Sequence, residues 1–305
     1  MKVLPAVLRA LSLLILTAAL PVQAADSAFP DIQRILDAGT LRVAILGRDA
    51  PPMIMTAADG SPAGSEADLA RDLAAKLGVE ITFVRTAQTY DQVVDQVADK
   101  TADLGVSFLS RGVDRALHVL FSQPYIRQSG RVFYKRTAFA RLKRDYGIDT
   151  LSAIESTDAV DAIQFGVVAG SVYQDILERS FPNVHIKPYT ALPELMQAVR
   201  NGEIFGGVNG GLQISYYMRQ HPSTAIHVAV DPTVHRPSDI CIAVRPDAPS
   251  LLRWVDIYLA NNVGIEDAED LVKRYVEQQE AEAEKAEKAE MTDKAADAPA
   301  QAEPG

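Results

Sequence analysis

Between residues 30 and 276, β-rich apolar runs alternate with stretches of helical periodicity, and they do so twice. No other feature of the chain restricts its fold as much. In the first round, Leu41–Leu46 reads as a strand, and Ser65-Glu66-Ala67-Asp68 has the form of a capping box. Leu69, Leu73 and Leu77 then recur on one helical face, and Gly78 is a natural stop. Ile81–Val84 is a second strand. Thr89 opens another helix, with Gln92 three positions on and Val93, Val94 and Val97 turned inward. Asp103–Phe108 and Arg131–Lys135 read as further strands. This rhythm predicts an α/β layer with a mostly parallel sheet.

The segment from Arg136 to Asp161 is polar and of mixed charge, and it interrupts the rhythm. Afterwards the alternation restarts: strand Phe165–Val168, helix Ser171–Arg179, strand Val184–Ile186, helix Leu192–Arg200, strand Phe205–Asn209, helix Leu212–Gln220 and strand Ile226–Val230. Strand Ile240–Val244, a helix through Trp254 and a last helix Ile265–Glu277 remain to complete the first unit. The expectation is two α/β lobes, one from 25–135 plus 233–276 and the other from 136–232. Two hinge crossings are expected, near 133–137 and 231–239. A length of 305 residues and 48% hydrophobic content suffice for both cores.

The ends have a different character. Lys2 and Arg9 precede an uncharged run, Ala10 to Val22, and Val22-Gln23-Ala24 offers small residues for cleavage, so residues 1–24 read as a secretory signal peptide. The run is shorter than the roughly 20 apolar residues of a spanning helix. A periplasmic, monomeric protein is expected. From Glu277 to Gly305 an acidic, low-complexity tail carries much of the formal charge of −10, and it reads as disordered or frayed helix outside the fold. No basic footprint for nucleic acid is present. Cys241, the single cysteine, sits in an apolar strand and reads as a core residue. His185, His221, His227 and His235 are scattered, so neither a metal site nor a cofactor is expected.

The most informative stretch is Asp103 to Tyr125, in which a strand ends at a loop, Arg115 opens a short turn, and Phe121-Ser122-Gln123-Pro124-Tyr125 follows. Gly39-Thr40-Leu41-Arg42-Val43, Pro51-Pro52, Asp59-Gly60-Ser61-Pro62-Ala63-Gly64, Asp68-Leu69-Ala70 and Gly170-Ser171 occur around it in order. Over residues 30–275 this resembles the family-3 bacterial extracellular solute-binding proteins, receptors of polar amino acid ABC importers. The resemblance implies a two-lobed type II periplasmic binding protein, a Venus-flytrap with a two-crossing hinge. It also implies a small-molecule ligand in the cleft and a membrane permease as partner.

By the same resemblance Arg115 grips a ligand carboxylate, a task suited to the planar, two-pronged guanidinium. An ion pair with Asp114 or Asp103 is the alternative. Ser110 either donates to the ligand or caps the turn after it. Gly170 and Ser171 offer N–H groups and a hydroxyl at a helix N-terminus, where an anion or a plain N-cap fits equally. Tyr90 matches an aromatic that packs on the ligand, with core or edge packing as the alternative, and Asn209 is a candidate neutral partner. Departures concern the ammonium: the family's acid falls on Gly210, a second acid near Gly47 and an aromatic near Ala50. Gly112 replaces a Thr, and Phe205-Gly206 replaces Asp-Ala. A buried ammonium without a carboxylate costs several kcal/mol. A carboxylate with a neutral or apolar body therefore fits better than a standard α-amino acid, with Asp49 or Glu66 as substitute acids only if the register slips. The function expected is a solute-binding protein of an ABC importer. The alternative is an accessory periplasmic protein of this fold, such as those associated with quinoprotein dehydrogenases. No catalytic spacing is identifiable, so an enzyme is not expected.

Overall fold

The computed structural model describes residues 28–156, 160, 163–180, 182–231 and 236–267, with Asp270, Lys273, Arg274 and Glu277. The expected signal peptide, most of the expected last helix and the acidic tail beyond Glu277 lie outside the described residues. Among the described residues no helix is long and apolar enough to cross a membrane.

Two sheets form two lobes. The first runs in the order Glu266–Asp267, Ile126–Arg127, Ile240–Val244, Leu104–Ser110, Thr40–Ala44, Glu80–Val84. The second runs His185–Tyr189, Gln164–Val168, Gly206–Gly210, Ser129–Lys135, Val228–Val230. Thr40–Ala44 is parallel to both neighbours, and so is Gln164–Val168. Ile240–Val244 lies antiparallel to Leu104–Ser110, and Ser129–Lys135 antiparallel to Gly206–Gly210. In each sheet the antiparallel strand beside the parallel set is the one that has just crossed from the other lobe.

The lobe boundary therefore differs from the expectation. Residues 131–135 were expected to close the first lobe, but Val132 pairs with Val208 and Phe133 with Gly207, so this strand belongs to the second. The outgoing chain crosses at Gln128 and the returning chain at Ser238, and Ser238 N–H donates to Gln128 O at 2.9 Å. The crossings are thus one paired ribbon. The polar segment also holds unforeseen order, a helix Arg136–Tyr146 ended by Gly147 at φ 66°. Ile226 is likewise in a short helix, Thr224–His227, ahead of the strand Val228–Val230.

Local signals explain most elements. Thr89 and Gln92 form a full capping box on helix Tyr90–Ala98, and Gly78 ends helix Ser65–Leu77 at φ 73°. The box expected at Ser65 is not formed. Gly64 is the N-cap, Asp68 pairs with Arg71, and Glu66 turns into the core. Leu41, Val43, Leu104 and Val244 are fully buried in the first lobe, and Phe133, Leu195 and Val199 on one face of the second sheet. Each such side chain contributes roughly 1.5–3 kcal/mol. Cys241 is buried in its strand, and burial pushes its thiol up to about 12.

Gly166 illustrates how tight the second lobe is. An added Cβ would run into Leu195 and lie 2.8 Å from Ile204 and 2.9 Å from Tyr189. Gly166→Ala is expected to cost about 2 kcal/mol through overpacking, read as a lower urea midpoint at unchanged slope.

Candidate functional site

Strand ends and helix starts from both lobes meet where the sheets face one another. Leu104–Ser110 runs into the turn that carries Arg115, and Thr89 and Tyr90 open their helix beside it. From the second lobe, Gln164–Val168 leads through Gly170 to helix Val172–Ser180, and Gly206–Gly210 passes without a loop into helix Gly211–Gln220. Ligands of open α/β sheets characteristically sit at such carboxyl ends of strands.

A narrow chamber of about 20 Å³ lies at the centre, room for about one water. Tyr90, Ser110, Arg115, Ser171 and Asn209, five of the six residues singled out from the sequence, line it. The sixth, Gly170, touches Arg115 through its carbonyl. Gln128, Tyr173 and Gln213 complete much of the lining and were not anticipated. Gln128 marks the outgoing crossing, and Gln213 sits in the first turn after Gly210, the position the family gives to an acid. A Cβ at Gly210 would strike the Gln213 side-chain oxygen and come within 2.8 Å of that of Gln128. Neutral amides thus fill the space an ammonium-binding acid would need.

Arg115 is buried and held by three partners. Nε donates to Asp91 Oδ1 at 2.9 Å, and Nη2 stands 2.7 Å from the same oxygen. Nη1 donates to Ser110 O at 2.9 Å and Nη2 to Gly170 O at 2.9 Å. Neither acid weighed from the sequence is its partner. Asp114 faces Arg179, and Asp103 is held by Arg42 and Arg245. The carboxylate on Arg115 is the chain's own, and the Gly170 carbonyl ties the arginine to the opposite lobe. Gly170 approaches so closely that a Cβ there would be 2.7 Å from Thr89 Cβ.

The hydroxyls divide between two states. Ser110 Oγ bonds Ser238 Oγ at 2.6 Å, and Tyr173 Oη bonds Ser238 Oγ at 3.0 Å, so Ser110 neither caps its turn nor stands free. Desolvation pushes the Tyr173 phenol up to about 12. Ser171 Oγ, Gln128 Oε1 and Gln213 Oε1 are buried without partners. Such groups cost free energy unless a ligand or water satisfies them. Asn209 Oδ1 accepts from Gly210 N–H at 2.9 Å.

The chamber adjoins a wider inter-lobe cavity of about 350 Å³, and Tyr90, Asn209 and Gln213 line both. That volume falls within the range of small-molecule sites. Its walls come from Arg48–Pro51 of the first lobe and from Val168, Leu192, Pro193, Tyr216 and Tyr217 of the second.

Similar structures have the same architecture. An ancestral amino acid-binding protein, AncCDT-1, described as a precursor of cyclohexadienyl dehydratase, is 22% identical with a TM-score of 0.63, over 80% of this chain and 98% of its own. A lysine-complexed putative ABC transporter binding component from Wolinella succinogenes is 21% identical with a TM-score of 0.63, over 77% and 95% of the two chains. The solute receptor for L-cysteine of Neisseria gonorrhoeae is 21% identical with a TM-score of 0.63, over 81% and 92%. No curated protein matches the chain. Residues 41–278 match the model of one family, and the chain accordingly belongs to the bacterial extracellular solute-binding proteins, family 3.

Proposed function

We propose that this chain is the periplasmic solute-binding component of an ABC importer, which encloses a small organic acid between its lobes and presents the closed form to a membrane permease. The observation that carries the reading is the cavity walled by both lobes at the open ends of their sheets. The paired ribbon at Gln128 and Ser238 acts as the hinge. Two adjacent crossings permit closure and restrict twisting. Binding and release suffice for this role, so no chemical step is assigned to the cleft.

A second reading is an accessory protein of the same fold that serves a periplasmic dehydrogenase. One observation favours it: Arg115 is satisfied by Asp91, Ser110 and Gly170 without any solute. A thermal-shift screen of organic acids and amino acids separates the two. A receptor saturated a hundredfold above Kd gains about 2.7 kcal/mol, which raises the melting temperature by about 5–10 °C for a chain of this size. Silence across the screen, together with retention of a periplasmic enzyme in a pull-down, would sink the importer reading.

A further inference from the structure

We propose that the wide cavity binds a ring-bearing organic acid, with the acid group on Arg48 and the ring among the tyrosines, and that it does not take a zwitterionic α-amino acid. The inference rests on the solute-binding reading and names the class of solute. Arg48 supplies the first argument. Its Nε donates to Gln88 O at 3.1 Å, and its guanidinium lies 5.8 Å over the Tyr90 ring. Its Nη2, however, is buried and has no acceptor. A cationic donor withdrawn from water and left unpaired is costly. Nη2 has no surface open to the cavity as it stands, so an oxygen anion there would relieve it once the guanidinium turns toward the cavity that Arg48 lines, with the charge-assisted bond that guanidinium makes best.

The walls supply the second argument. Pro51, Tyr90, Leu192, Pro193, Tyr216 and Tyr217 offer broad flat apolar surfaces. Tyr217 is held by His221, whose ring centroid is 4.4 Å from its own. Aromatic faces in this number suit a planar or alicyclic body by offset or edge contact. The third argument is the distribution of charge. Among the described residues that line the cavity, Asp49 is the single carboxylate. Its Oδ1 already accepts from Arg85 at 2.8 Å and from Thr56 at 2.7 Å. An ammonium would therefore meet the Arg48 cation and a single acid whose charge is already shared with Arg85. The arginine that the family resemblance assigns to an amino acid carboxylate is closed by Asp91.

Calorimetric titration of the purified protein tests this with benzoate and cyclohexanecarboxylate as ring acids, acetate as the ringless acid, and L-arginine, L-lysine and L-alanine as amino acids. The ring acids are expected to bind, acetate at least tenfold more weakly, and the amino acids without measurable heat. Arg48→Gln and Tyr217→Ala are each expected to weaken the ring acids at least tenfold, with far-ultraviolet circular dichroism like that of the parent. Ring-acid affinity unchanged in Arg48→Gln would overturn the proposal. So would an L-amino acid that binds more tightly than the ring acids and is lost in Ser171→Ala, an outcome that leaves the solute-binding reading intact. If no compound of either class binds, both readings fall.

Discussion

Arg115→Ala is expected to cost about 3 kcal/mol of stability with no ligand present and to shift the lobes toward an open arrangement. Arg115 is 8% exposed, and its guanidinium makes its bonds to Asp91, Ser110 O and Gly170 O at once. The Asp91 side chain is 55% exposed, so solvent screens that pair and its share of the loss is small. The larger share comes from the two carbonyls that lose a charged donor in a buried place. Of the three partners only Gly170 lies across the cleft. A hydrogen bond to a charged group contributes about 1.5–3 kcal/mol, which is about a ten- to hundredfold bias in the closed-to-open ratio. Urea unfolding reads the first effect, and the radius of gyration from small-angle scattering reads the second. Arg115→Lys should resemble alanine more than arginine in scattering, because one ammonium cannot span three acceptors in the fork's geometry. A ligand grip and nothing more would behave differently: ligand-free stability and dimensions would not change, and only solute affinity would fall.

This strut also shows where sequence reading stops. Tyr90, Ser110, Arg115, Ser171 and Asn209 could be placed together because the motifs that carry them resemble, in order, those of the family. The partnership of Arg115 could not, because Asp91 is 24 residues upstream and Gly170 is 55 downstream in the other lobe. The misassigned strand has the same cause. Ser129–Lys135 reads as a strand by its residues, and nothing local says which sheet it joins. The partner is the strand Gly206–Gly210, legible as a strand but more than 70 residues downstream, where Gly206, Gly207 and Gly210 lie opposite Tyr134, Phe133 and Gly130 and carry no side chains to signal the pairing. Helix Arg136–Tyr146 escaped because charge dominates it; Leu142 is its one buried residue, and Ala138 and Phe139 are partly covered. Where the signal is covalent or strictly local, as in the Thr89–Gln92 box or the Gly78 stop, expectation and structure coincide.

Glu66 leads to a pH dependence of unusual sign for a carboxylate. It is fully buried, and desolvation pushes it up to about 7 from the ordinary 4.5 despite hydrogen bonds from Tyr125 and Phe108. Glu66 Oε2 accepts from the Phe108 N–H at 2.6 Å and from the Tyr125 hydroxyl at 2.6 Å, while Oε1 is buried without a partner. Between pH 4.5 and about 7 the unfolded chain releases this proton and the folded chain keeps it. The stabilising contribution is therefore complete below 4.5, declines as pH rises through the interval, and is gone above 7. At about 1.4 kcal/mol per pH unit the loss is about 3 kcal/mol. Glu66→Gln keeps an oxygen acceptor and never ionises, so it should match the parent at pH 4.5 and exceed it by about 3 kcal/mol at pH 8 in urea unfolding. A variant weaker than the parent at pH 8 would show that the native state depends on the ionised carboxylate. The site lies close to function because Phe108 holds a φ of 53° and lines the polar chamber. A non-glycine residue keeps that backbone only where its surroundings impose it, and Glu66 is the group that fixes its N–H. The carboxylate accepts from the Phe108 N–H more strongly once ionised, so above pH 7 the lost stability should appear as faster exchange in the core amides of strand Thr40–Ala44 rather than as selective opening at Phe108.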